Sequence, residues 1–99
     1  MFDNREQTFE NKFAHDETLK FKAIAARNKL LGAWAADKLR KNVADYTKEV
    51  VEADFEKAGD EDVLEKILRD FDRAELGISR TDIRKKMDDL LIEARKSLA

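Results

Sequence analysis

The scarcity of chain breakers constrains this sequence most: it has no proline and only three glycines, Gly32, Gly59 and Gly77. Helices stop most readily at those two residue types, and there are no alternating Val, Ile and Thr runs that would read as strands. An all-α fold follows. A chain of 99 residues fits one domain and can bury enough apolar surface to fold without covalent staples. With no cysteine, disulfides, zinc–thiolate sites and thiol nucleophiles are excluded, and the composition fits a reducing compartment.

The stretch FKAIAARNKLLGAWAADKL, residues 21–39, has the pattern of a long central helix. At about 100° per residue, Phe21, Ile24, Asn28, Leu31, Ala35 and Leu39 fall in one stripe, and Arg27, Leu30 and Trp34 form a ridge beside it. Two adjacent ridges require more than one partner helix. The many alanines favour the helix and allow close approach. Gly32 costs about 1 kcal/mol relative to alanine there, so it marks a point where a neighbouring helix comes close.

Residues 1–15 differ in character. On a helix Phe2, Phe9 and Phe13 lie within about 40° of one another, a narrow aromatic edge with Asp3, Glu6 and Glu10 along one flank and Arg5 and Lys12 along the other. Either this segment continues the central helix with its phenylalanines in the core, or it packs outside the core as an arm. The edge is offset by about 70° from the 21–39 stripe, with Asp16, Glu17 and Lys20 between them, which favours the arm.

Further along, Arg40, Lys41 and Asn42 form a stop and restart. The second helix is expected over about 43–58, with Val43, Tyr46, Val50, Val51 and Phe55 inward. Gly59 then serves as a C-cap and Asp60 as the N-cap of a third helix, with Glu61 and Asp62 in its first turn. Leu64, Ile67, Leu68 and Phe71 give that helix its apolar face, and Gly77 with Ile78 is expected to end it near residue 76. Ser79-Arg80-Thr81-Asp82 resembles a capping box, and Ile83, Met87, Leu90, Leu91, Ala94 and Leu98 form the stripe of a last helix over 80–98. The expected architecture is a four-helix bundle of about 16–41, 43–58, 60–76 and 80–98, a domain over 16–99 preceded by a mobile arm over 1–15.

Charged residues make up 42% of the chain, yet the net charge is only −2, so both signs are interspersed on solvated helix faces. Pairs at i, i+4 such as Asp62/Lys66, Glu65/Arg69 and Asp82/Lys86 suit such faces. There is no basic footprint for nucleic acid, no apolar run long enough to span a membrane, and no signal-peptide pattern, so a cytoplasmic protein is expected.

The sequence offers little catalytic chemistry. Its one histidine, His15, has no nucleophile at a recognisable spacing, adjacent Asp88 and Asp89 diverge on a helix, and no Gly-rich phosphate loop is present. No enzyme, cofactor or catalytic residue is indicated. Asp54, Glu56, Gly59, Asp62 and Glu65 partly match a calcium loop over Asp54–Glu65, but Ala58 cannot coordinate, Glu56 is too long for its place and Glu61 stands where an apolar anchor belongs. A small ligand- or calcium-sensing protein built on that turn is the alternative function; the helix-cap reading accounts for Gly59 and Asp60 without a metal.

Four blocks in order, FDNREQTFENKFAHDE, RNKLLGAWAADKL, KEVVEADFEKAGDEDV and DIRKKMDDLLIEA, resemble the zeta-subunit ATPase inhibitors of bacterial F-type ATP synthases. The resemblance covers nearly the whole chain. It implies a four-helix bundle with a mobile N-terminal inhibitory arm that enters a catalytic interface of the synthase headpiece, built from alpha, beta and gamma subunits, and blocks ATP hydrolysis. Arm residues Phe2, Asp3, Arg5, Glu6, Phe9, Glu10 and Phe13 would make the contacts. The protein would then be a monomer when free, acting on the cytoplasmic side of the membrane-bound synthase without inserting into the bilayer.

Overall fold

The computed structural model describes residues 3–56 and 60–98, with side chains described over 18–54 and 60–98. Four helices account for nearly all of it: α1 (Asp3–Leu39), α2 (Val43–Glu56), α3 (Asp60–Arg73) and α4 (Arg80–Leu98). Among the described residues there is no strand. α1 has 37 residues, about 55 Å at 1.5 Å per residue, and does not begin near residue 16 as the change in character suggested. The physical reason lies in the absence of breakers. Asp16, Glu17 and Lys20 change the polarity of the helix without interrupting its backbone, and no glycine or proline precedes Gly32.

Helix ends are set locally. Asn42 Oδ1 accepts from Asp45 N–H at 2.9 Å and starts α2. The capping box before α4 is reciprocal: Asp82 N–H donates to Ser79 Oγ at 3.1 Å, and Ser79 N–H donates to Asp82 Oδ2 at 3.2 Å. α3 stops at Arg73, earlier than expected, and Gly77 is not its cap. Leu76 N–H reaches Phe71 O and Glu75 N–H reaches Asp72 O, the paired bonds of a Schellman motif with Glu75 at the left-handed position, φ 55°. α1 ends in the same way, with Lys41 N–H on Ala36 O, Arg40 N–H on Asp37 O, and Arg40 at φ 57°. Left-handed backbone costs an L-residue about 1–2 kcal/mol, part of which glycine recovers despite its greater unfolded-state freedom. Arg40→Gly and Glu75→Gly, both at exposed sites, are each expected to stabilise the chain by about 0.5–1 kcal/mol in urea unfolding.

The contacts fix the topology. Gly32 against Thr47 and Asn28 on Asp54 make α1 and α2 antiparallel, whereas Arg27 on Asp60 and Trp34 on Phe71 make α1 and α3 parallel. α4 runs against α3 with Arg80 beside Glu65 and Arg84 beside Glu61, so its later turns extend past the start of α3 and pack on α1. α2 and α4 lie on opposite sides, and α1 is the element most engaged with both.

The core contains Leu31, Ala35, Tyr46, Val50, Val63, Leu64, Ile67, Phe71, Ile83, Met87 and Leu90, with Trp34 packed against it. Trp34 meets the Phe71 ring edge-on, centroids 5.4 Å apart at 63°. Several expected core residues are not inside. Phe21 is 70% exposed, and Leu30, Val43 and Leu98 are also exposed. Phe21 lies on the line of α1 that faces α2, but beyond the point where Asp54 meets Asn28, so α2 does not cover it. The cap at Gly59 and the Phe55 side chain lie outside the described residues.

None of the three expected i, i+4 ion pairs is present among the described residues, although Lys66 makes a different one with Asp70 at 3.1 Å. Lys66 pairs with Glu49 of α2 at 3.0 Å rather than with Asp62, while Glu65 turns to Arg80 rather than to Arg69. Asp82 is taken by the capping box, and Lys86 Nζ lies 5.8 Å from the centre of the Trp34 ring. Solvated i, i+4 pairs contribute only about 0.2–0.5 kcal/mol, so partners on neighbouring helices compete with them readily.

Candidate functional site

The arm residues Asp3, Arg5, Glu6, Phe9, Glu10 and Phe13 lie on the first turns of α1, whose backbone is continuous with the bundle helix. Their side chains, and Phe2 altogether, lie outside the described residues, as does the His15 side chain. What the structure describes in detail is the platform from which this part of α1 projects.

A buried polar cluster ties that platform together. Arg27 is only 1% exposed. Its Nε donates to Asn28 Oδ1 at 2.9 Å and its Nη2 donates to Asp60 Oδ1 at 2.8 Å. Asn28 Nδ2 in turn donates to Asp54 Oδ2 at 3.1 Å. A guanidinium removed from water needs such partners, because an unpaired buried charge costs several kcal/mol. The cluster therefore holds the last turns of α2 and the first turn of α3 against α1. The hydrogen bond from Arg27 lowers the pKa of Asp60, outweighing the opposing effect of burial. Periodicity placed Arg27 and Asn28 on inward ridges, but nothing local announced that Asp54 and Asp60 would meet them.

The same cluster bears on the calcium alternative. Asp54 would occupy the first place of the loop, yet its carboxylate holds the Asn28 amide; the seventh place, which ligates through its backbone carbonyl, falls on Asp60, whose carboxylate pairs with the Arg27 guanidinium. A divalent ion would have to displace the amide and sit near the guanidinium. Among the described residues no group of three or more His, Cys, Asp or Glu is gathered to hold a metal.

A second network braces α2 against α3. Tyr46 Oη donates to Asp70 Oδ2 at 2.8 Å, and Lys66 Nζ donates to the same oxygen at 3.1 Å and to Glu49 Oε1 at 3.0 Å. Lys66 Nζ also lies 5.1 Å from the centre of the Tyr46 ring. Burial works against the charges of Lys66 and Asp70, but their mutual hydrogen bond, with Glu49 and Tyr46 added, raises the lysine pKa and lowers the carboxyl. Burial, followed by the bond to Asp70, pushes the Tyr46 phenol far above its ordinary value.

Two pH effects follow. Asp60 and Asp70 titrate lower when folded than unfolded, so their stabilisation is present above about pH 4 and is lost as pH falls through their depressed values. At the alkaline end the unfolded phenol ionises above about pH 10 while the folded one stays protonated, so stability falls as pH rises beyond that point. Tyr46 is the only tyrosine, so tyrosinate absorbance should appear together with the loss of helical circular dichroism, not before it.

Beside this network a cleft of about 420 Å³ opens between α2 and α3, lined chiefly by Glu49, Glu52, Asp62, Glu65, Lys66 and Arg69. It is open and rich in carboxylates, and its lining contains no hydroxyl, thiol or imidazole nucleophile. No helix among the described residues is long and apolar enough to cross a membrane.

Together these features define a class: a small all-helical protein in which a braced bundle carries one helix that runs well beyond its own packing partners' sequence-local pairing. The chain belongs to the ATPase inhibitor subunit zeta family, whose model matches residues 1–97. A solved structure titled "Solution NMR structure of the protein" is similar at 43% identity and a TM-score of 0.69, covering 81% of this chain and 94% of that one. Comparison with curated proteins gives no match. The family supports an inhibitor role, regulatory rather than catalytic.

Proposed function

We propose that this protein inhibits ATP hydrolysis by an F-type ATP synthase by inserting residues 1–15 at a catalytic interface of the headpiece, among its alpha, beta and gamma subunits. Phe2, Phe9 and Phe13 serve as apolar anchors, while Asp3, Glu6 and Glu10 on one side and Arg5 on the other fix the rotation of the helix in its groove. Residues 16–99 form the folding unit and act as a handle that limits how far the arm enters. The observation that carries this reading is the family match, which reaches residue 1 and so includes the arm. The continuity of α1 from Asp3 supports it, because an inserted helix needs a stiff connection to its handle.

Inhibition of this kind requires no chemistry. Rotary hydrolysis makes each catalytic interface open and close, and a helix bound to one state stabilises that state by its differential affinity. The free protein is a monomer that meets the headpiece on the cytoplasmic side of the membrane.

Hydrolysis by the isolated headpiece tests the proposal, measured with the full chain and with a chain lacking residues 1–15. The full chain should inhibit and the shortened one should not, while both keep the same melting midpoint. Equal inhibition by the two would sink the arm mechanism. A fall in midpoint of more than about 8 °C on shortening would instead place the phenylalanines in the core.

A further inference from the structure

We propose that Arg27 and Asn28 are positioning residues: their bonds to two different helices fix the roll of α1 about its own axis, and with it the side of the helix that residues 1–15 present to the headpiece. This rests on the inhibitory reading above and names the bundle residues that aim the arm.

Arg27 and Asn28 are the only buried polar or charged residues among the described ones, 1% and 2% exposed, and they are adjacent on α1. Consecutive residues stand about 100° apart around a helix, so the two side chains leave α1 on different sides. Asp60 of α3 accepts from Arg27, Asp54 of α2 accepts from Asn28, and the bond from Arg27 Nε to Asn28 Oδ1 ties the two together. The result is a line of three directed bonds that crosses α1 from α3 to α2. A roll of about 20° would carry a group about 6 Å from the helix axis through about 2 Å, enough to break either outer bond. Apolar contacts have no such direction and tolerate a slip of that size more readily.

Stability alone does not call for this arrangement. Replacing a buried charged pair by apolar side chains of similar volume often leaves a protein as stable or more so, because the charges no longer have to be stripped of water; in some proteins such groups instead set register or orientation. The apolar core on α1 lies on the other side of the pair from the arm, at Leu31, Ala35 and Ala36. Between the arm and the pair, over residues 18–26, Ala23 is the only fully buried residue. Arg27 and Asn28 thus hold α1 where the last turns of α2 and the first turn of α3 meet it. The helix is continuous from there to Asp3, so any roll at the pair is carried to the arm at the same angle.

The experiment uses the full chain and two sets of substitutions. Arg27→Met/Asn28→Leu removes the directed bonds without stranding a buried charge, since the Asp60 side chain is 43% exposed and Asp54 is half-buried. This variant should melt at or above the parent midpoint. Its residual dipolar couplings over residues 18–26 should nevertheless depart from the parent values, measured against those of α3 and α4, and half-inhibition of headpiece hydrolysis should need about tenfold more protein. Asp60→Asn keeps an acceptor for Arg27 but removes its countercharge, so it should melt lower than the parent while couplings and inhibition stay unchanged. If the double variant does not fold, Asn28→Leu alone breaks the bond to α2, keeps the Arg27–Asp60 pair and gives the same readout. Couplings and inhibition unaltered in the double variant, or following the melting midpoint in Asp60→Asn, would overturn the proposal and leave the pair a purely structural one. Shifted couplings with full inhibition, in a chain whose Phe9→Ala/Phe13→Ala variant loses it, would overturn the positioning role. Inhibition that survives Phe9→Ala/Phe13→Ala would overturn the arm reading and the aiming role with it, whereas the couplings, read on the free protein, still decide whether the pair fixes the roll of α1.

Discussion

A chain carrying Phe9→Ala and Phe13→Ala is expected to lose inhibition of headpiece hydrolysis while its bundle melts at the same temperature as the parent. The two rings are neighbours at i, i+4, so in a groove they fill adjoining pockets as one apolar unit. Burial of each ring is worth about 1.5–3 kcal/mol, and aromatic anchors near the centre of an interface typically carry about 2 kcal/mol or more. Loss of both therefore weakens binding by about a thousandfold, most of it through faster dissociation. Charge reversal at Glu10 should do less, because a flanking charge acts mainly on encounter and salt dependence. Dissociation kinetics on immobilised headpiece provide the check. A double variant that inhibits like the parent with unaltered off-rates would move the inhibitory contacts to the bundle surface.

Gly32→Ala should be the most destabilising single-methyl change in the described chain. On propensity alone the alanine would gain about 1 kcal/mol in a helix interior. Packing reverses the sign. A Cβ at this position would lie 2.7 Å from Thr47 Oγ1 and 2.8 Å from Thr47 Cα, and the second contact is backbone that cannot swing aside. At the same close crossing Thr47 Oγ1 is buried with no hydrogen-bond partner among the described residues. α1 and α2 would have to part, straining the neighbouring Asn28–Asp54 bond, at a net cost of about 2 kcal/mol and about 10 °C or more in melting midpoint. Fluorescence of Trp34, the sole tryptophan, can follow the transition because its ring sits edge-on against Phe71 in the core. A rise in midpoint would show that the helices yield and that propensity wins.

The features legible in the sequence are those decided within a few residues. Asn42, the Ser79/Asp82 box and the stripe from Ile83 to Ala94 could be read directly because caps and periodicity are local. Gly32 could be read as a crossing because a glycine inside an alanine-rich helix has few other uses. What escaped depends on distant partners or on where a neighbour ends. Phe21 has a core-like position in the helical repeat but lies past the point where α2 meets Asn28 on Asp54, and Arg27 is buried only because Asp60 comes to meet it. The end of α3 was misplaced because a positive φ suggests glycine, whereas Glu75 takes it and Gly77, at φ 69°, serves the loop instead. The proposed arm contacts Phe2, Phe9 and Phe13 are legible as an aromatic edge in the helical repeat, but their side chains lie outside the described residues.

The uninterrupted backbone of α1 from Asp3 to Leu39 gives the molecule a property of phase. A helix that is continuous through the junction converts any change in length there into a rotation of about 100° per residue. One residue inserted between Asp16 and Lys20 would advance the arm by only about 1.5 Å but turn Phe9 and Phe13 by about 100° relative to the bundle. Four inserted residues would nearly restore the arm's original orientation while lengthening the rod by about one turn. Whether the partner reads the angle of the rod or its reach is thus encoded in how these two insertions differ.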